Sequence, residues 1–184
     1  MWQTILKTIG LDVADDDADS RDDALGHIVR ALAELEPSDA RYVAAFAYLL
    51  SRAAHADHHL SDAERGEIER LIAERAQLAP ARAKLVTEMV TAQSMRLRGT
   101  QDFPVSLEFA RIATPAQKRA LVDCMFAVSA ADQSIITAED NEIRRVASEI
   151  GVEHGDFVTI RGRYRDRLAV LQRPDTIPDP DQAS

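Results

Sequence analysis

Aromatic residues make up only 5% of this 184-residue chain, and it has only seven glycines. So few rings and such abundant alanine favour thin, Ala/Leu-lined helical contacts over a β-sandwich. The shortage of glycine argues against a run of tight hairpins. Cysteine is nearly absent too: Cys124 stands alone, so no intramolecular disulfide can form. Its setting, "VDCMFAV", is apolar and predicts a buried, inert thiol rather than a reactive one. Basic residues are outnumbered, 22 against 31 acids, giving a formal net charge of −9. That balance disfavours a nucleic-acid binder, which needs a basic footprint. It suits a soluble protein that gathers cations near its surface. No long apolar run appears, and the opening "MWQTILKTIGL" is too short for a membrane span and lacks a signal-peptide layout. The expected location is cytoplasmic. Trp2, Ile5, Leu6 and Ile9 still form one apolar face of a short helix, open to docking on the domain or to peripheral contact with a membrane surface.

Catalytic signatures are missing as well. There is no phosphate-cradling Walker loop, dinucleotide fingerprint, G-x-S-x-G elbow or H-E-x-x-H pair. An enzyme is not expected.

What is present reads as helix throughout, with no sustained β alternation. The fold class is all-α. After the N-terminal segment, "DVADDDADSRDD" is too acidic to bury and reads as an exposed linker. "ALGHIVRALAEL" places Leu25, Ile28, Val29, Leu32 and Leu35 at helical spacing, and Pro37 ends that element. Ser38 or Asp39 caps a largely buried helix, "RYVAAFAYLLSRAAHA". Ser61 and Glu64 form a capping-box pattern, Pro80 starts a further helix, and "VSLEFARIA" is a shorter piece after a break near "LRGTQDFP". Thr114-Pro115 is a cap followed by a first-turn proline. Thr137 is placed to cap the next helix, Gly151 closes it, and a last helix is expected from about His154 to Leu171. The domain reading is a short helix and acidic linker over 1–24, a helical domain over 25–171 and a disordered tail over 172–184.

The informative feature is a repeat around 38–72 and 113–147. "AHADHHLSDAE" and "SAADQSIITAE" each carry an Asp and, seven residues later, a Glu. A shift of 75 positions aligns the two stretches without a gap. Asp57 meets Asp132, Leu60 meets Ile135, Glu64 meets Glu139, Glu67 meets Glu142, Ile68 meets Ile143 and Leu71 meets Val146. Two similar helix–turn–helix halves are the economical explanation. In each, a long buried helix ends at the Asp, an apolar residue plugs the turn, and the Glu enters in the first turn of the next helix.

These acids have two readings. As helix caps they satisfy free backbone N–H groups and complement the helix dipole, worth about 0.3–1 kcal/mol each. As ligands they offer hard oxygen donors suited to calcium, magnesium or manganese. The sites would be Asp57 with Glu64 and Asp132 with Glu139, supported by Glu67 and Glu142. The loop is no EF-hand, which needs Gly at its sixth position and Glu at its twelfth. Counting from Asp57 these are Asp62 and Ile68, and from Asp132 they are Thr137 and Ile143. His55, His58 and His59 offer a separate zinc option in the first half only. "RGRYRDR" supplies Arg161, Arg163, Arg165 and Arg167; a spacing of two spreads them over two helix faces, as a salt-bridged solvated surface or a contact for an acidic partner or nucleic acid.

The pattern A-D-x-x-Φ-S-x-x-E, with Φ apolar, resembles the TerB family of tellurite-resistance proteins. "HADHHLSDAERGEIERLI" carries it closely and "SAADQSIITAEDNEIRRVA" with one shift; the resemblance covers residues 25–171. It implies a bundle of about seven helices with two acidic clusters, an association with tellurite and other stresses, divalent-cation binding, and no established enzymatic activity. It also implies a protein partner within a stress-response system; the oligomeric state stays open. The family's acidic positions carry over onto Asp57, Glu64, Asp132 and Glu139. Where family members place Gly directly after the Asp, this chain has His58 and Gln133, and Ile136 stands where a capping hydroxyl is expected. An acidic protein with one buried thiol is a poor candidate for reducing tellurium oxyanions.

Overall fold

Four of the seven prolines sit where a helix loses nothing by them. Pro37, Pro80 and Pro115 are first residues of helices and Pro104 lies in a first turn, positions whose N–H has no intrahelical partner anyway. A computed structural model describes residues 21–53, 62–94, 102–132 and 134–171. Among them the chain forms α1 (Arg21–Ala33), α2 (Pro37–Ala53), α3 (Asp62–Ala76), α4 (Pro80–Ser94), α5 (Asp102–Ile112), α6 (Pro115–Ser129), α7 (Thr137–Glu149) and α8 (His154–Gly162). Short 3₁₀ turns follow at Ala130–Asp132, Arg165–Arg167 and Ala169–Leu171. The class is all-α, as the sequence indicates. None of the helices among the described residues is long and apolar enough to cross a membrane.

Two helices are central because they are apolar nearly all round. In α2, Val43, Ala44, Ala45, Phe46, Ala47, Leu49 and Leu50 are fully buried, and their small alanines let neighbouring helices approach. This helix packs against α4, α5 and α6. In turn α6 buries Leu121, Val122, Cys124, Met125 and Phe126 and packs against α3, α7 and α8. Aromatic rings are few but grouped. Tyr42, Phe46 and Phe109 lie within 5.7–6.3 Å of one another between α2 and α5. Phe126 meets Phe157 of α8 and stacks on Tyr164. Cys124 is buried as expected: burial first, then the neighbouring Asp123 charge, pushes its thiol up to about 12.

Cap chemistry explains the boundaries of α6 and α7. Thr114 Oγ1 accepts from the Gln117 N–H at 3.2 Å, and Gln117 Oε1 accepts from the Thr114 N–H at 2.8 Å, a complete capping box. Gly151 takes φ +72° after α7. The Val152 N–H then reaches the Ala147 carbonyl and the Gly151 N–H the Ser148 carbonyl, the paired bonds of a Schellman ending. Gly151→Ala forces a Cβ into the left-handed region, so we expect a loss of about 1–2 kcal/mol, readable in urea unfolding.

Five boundaries differ from the sequence reading. Helix α2 starts at Pro37, ahead of the expected Ser38 or Asp39 cap, and α5 at Asp102, inside the expected break. Helix α1 starts at Arg21, inside the acidic run. At the start of α7 the cap position is Ile136 rather than Thr137, which is the first helical residue. The last helix stops at Gly162 instead of reaching Leu171. There the chain turns so that Tyr164 stacks on Phe126 and Leu168 is buried, at 1% exposure. Arg167 and Ala169 spend their backbone groups on Ile135, which helical continuation would forbid. The expected N-terminal apolar helix and the tail over 172–184 lie outside the described residues.

Candidate functional site

The second acidic turn is pinned from two sides. After α6, the Ala130–Asp132 turn leads to Ile135, which is buried as the expected apolar plug. The Ile135 N–H donates to the Arg167 carbonyl at 2.7 Å, and the Ala169 N–H donates to the Ile135 carbonyl at 2.9 Å. Glu139, the third residue of α7, is 7% exposed and its Oε2 accepts from the Ile136 N–H at 2.9 Å. Isoleucine has no acceptor to return, so the capping box is made in one direction only. Glu139 therefore sits at the turn as expected, and it works there as a cap.

In the first half, Glu64 is likewise the third residue of its helix, and α3 and α7 start 75 residues apart, at Asp62 and Thr137. Asp57, His55, His58 and His59 lie outside the described residues, as do the side chains of Glu64 and Asp132. Among the described residues no group of three or more His, Cys, Asp or Glu is placed to hold a metal ion.

The supporting acids are engaged elsewhere. Glu67 is held by Arg70 through both oxygens, at 2.9 and 2.6 Å, and Arg70 also reaches Glu74 at 2.6 Å. The same triad recurs 75 positions on, where Arg145 lies 3.9 Å from Glu142 and 3.1 Å from Glu149. In the second copy another cation enters. Arg52, at the end of α2 and with only 7% of its side chain exposed, meets Glu142 at 2.6 Å and Glu149 at 2.7 Å. It also donates to Ser106 of α5 at 3.1 Å, while Ser106 donates to Glu149 at 2.5 Å. Burial alone would raise the Glu149 carboxyl, but hydrogen bonds from Arg52 and Ser106 and the charges of Arg52 and Arg145 outweigh it and hold it below the usual range. This cluster ties α2, α5 and α7 together.

Sequence reasoning gave no hint of Arg52, whose partners lie 90 and 97 residues away. The recurring E-x-x-R-x-x-x-E was visible but reads as ordinary surface pairing. The four C-terminal arginines divide. Arg161 grips the buried Asp140 with two bonds, at 2.8 and 2.7 Å, and Arg163 approaches Asp123 at 3.5 Å. Arg165 and Arg167 are exposed on the 3₁₀ turn that follows. They form no stripe.

Comparison with known proteins agrees with this layout. The family model described as "Tellurite resistance protein TerB" matches residues 42–162, a span that includes both acidic turns and both triads. Searches of curated proteins and of solved structures returned no significant match. With well over half its length inside that match, the chain belongs to the TerB family of tellurite-resistance proteins.

Proposed function

We propose that the protein is a non-catalytic TerB-family member that binds divalent cations at its two acidic turns and, through them, serves a response to tellurite and related stress. The observation that carries this reading is positional: Glu64 and Glu139 are each the third residue of a helix and each follows an Asp by seven residues. An Asp leaving one helix, a Glu entering the next and the carbonyls between them supply the oxygen donors that calcium, magnesium or manganese prefer. A net charge of −9 raises the local concentration of such ions. Glu67 and Glu142 contribute field rather than direct bonds, since a ligand role would cost them their arginine pairs.

Isothermal titration of chelator-treated protein with calcium, manganese and zinc tests the proposal, beside the double variant Asp57→Asn/Asp132→Asn. Saturable calcium or manganese binding in the wild type and its loss in the variant is the expected result. Zinc binding alone, surviving in the variant, assigns the metal to His55, His58 and His59 instead.

A second reading rests on the Ile136–Glu139 bond, which gives that acid a structural task worth about 0.3–1 kcal/mol. Under it the doubled acids are caps in a protein-interaction module that docks through its N-terminal segment, where the sequence carries Trp2, Ile5, Leu6 and Ile9 at helical spacing. Truncation of residues 1–10 would then abolish capture of a partner while the titration shows no metal at all.

A further inference from the structure

A cavity of about 300 Å³ opens between the end of α3, the first turns of α6 and the end of α8. Arg75, Arg119 and Arg163 line it, joined by Gln77 and Gln117. The one acid among its lining residues is Asp123, whose side chain is 10% exposed. In a chain this acidic, three guanidiniums around one carboxylate make a local reversal of charge.

The distances show how incompletely that carboxylate satisfies them. Asp123 Oδ1 accepts from the Tyr164 hydroxyl at 3.0 Å, a bond that fixes its orientation. Arg75 comes no nearer than 3.6 Å and Arg163 no nearer than 3.5 Å. Strong charge-assisted bonds close to about 2.7–2.9 Å, as Arg52, Arg70 and Arg161 do with their acids. Arg119 is paired at 3.1 Å with Asp156, which is not part of the lining. Each guanidinium carries five N–H donors, so Arg75 and Arg163 keep most of theirs for something other than Asp123.

We propose that this cavity binds a small metabolite bearing a phosphate or clustered carboxylates, its anionic group held between Arg75 and Arg163. The shared chemistry is a multiply charged oxyanion, and the volume lies at the low end of small-molecule sites. The glutamines on the rim offer neutral hydrogen bonds to the rest of such a molecule. This site is independent of the cation proposal, because none of its residues belongs to the acidic turns.

The test is calorimetric titration of the full-length protein, freed of metal by chelator and then of chelator by gel filtration, at constant ionic strength, with inorganic phosphate in one arm and citrate in the other. Arg75→Gln, Arg163→Gln and, as a control outside the cavity, Arg70→Gln are titrated beside the wild type. The proposal expects saturable binding of at least one anion, weakened about tenfold or more by each cavity variant and unchanged in Arg70→Gln. Tighter phosphate assigns a phosphorylated ligand, and tighter citrate a polycarboxylate. Absence of saturation for both anions, or equal weakening in Arg70→Gln, overturns it.

Discussion

Arg52→Met lowers the unfolding free energy by about 3–5 kcal/mol, the expected cost of removing one member of a buried charge cluster. The side chain is 7% exposed and lies between Glu142 and Glu149, which are 25% and 14% exposed. Without the guanidinium, two carboxylates remain, balanced among the described residues by Arg145, itself largely in solvent. Ser106 also loses a donor, although it retains its own bond to Glu149. Adding Glu142→Gln and Glu149→Gln to the variant should recover part of the loss, because the neighbours are coupled rather than additive. Urea unfolding of the four proteins reads both effects.

The same cluster gives stability a direction in pH. Glu149 is held below its ordinary value of 4.5, so the folded state favours its charged form. Its contribution is therefore fully present above that value and disappears as pH falls through the lower, folded one. Acid unfolding should start at higher pH in Arg52→Met, and Glu149→Gln should flatten the acid limb.

Phe126→Ala is the second large effect, expected at about 3–5 kcal/mol for a large-to-small change in a packed core. The ring is fully buried, its centroid 5.9 Å from that of Phe157 and 5.5 Å from the nearly parallel ring of Tyr164. It is the contact that brings α8 and the turn beyond it onto α6. Its removal leaves a cavity at that junction and frees Tyr164, whose hydroxyl orients Asp123. Denaturant unfolding gives the magnitude. A mutation at an exposed apolar residue such as Val158, at 51% exposure, should stay within about 0.5 kcal/mol.

Local rules carried the sequence reading far. Thr114-Pro115, Pro80 and Gly151 mark boundaries because caps and proline geometry depend on a few neighbouring atoms, and those residues act as their chemistry requires. Burial of Cys124 and Ile135 follows from apolar surroundings. What escaped depends on distant partners. "RGRYRDRLAVL" has good helix formers, yet Ile135, some thirty residues upstream, takes its backbone into a bridge. Arg52 lies in an apolar helix and looks like a polar residue at its end, until α5 and α7 bring Ser106, Glu142 and Glu149 around it. Doubled acids were legible as a pattern. Their chemistry was not, because a cap and a ligand need the same carboxylate in the same place.

That ambiguity sets the decisive measurement, a count of bound manganese per chain by electron paramagnetic resonance of the free ion. It is made on the wild type, on Asp57→Asn and Asp132→Asn singly, and on the double variant. The account expects two ions in the wild type, one in each single variant and none in the double. A count that stays the same in all four proteins, or is zero from the start, contradicts it and leaves the acids as helix caps.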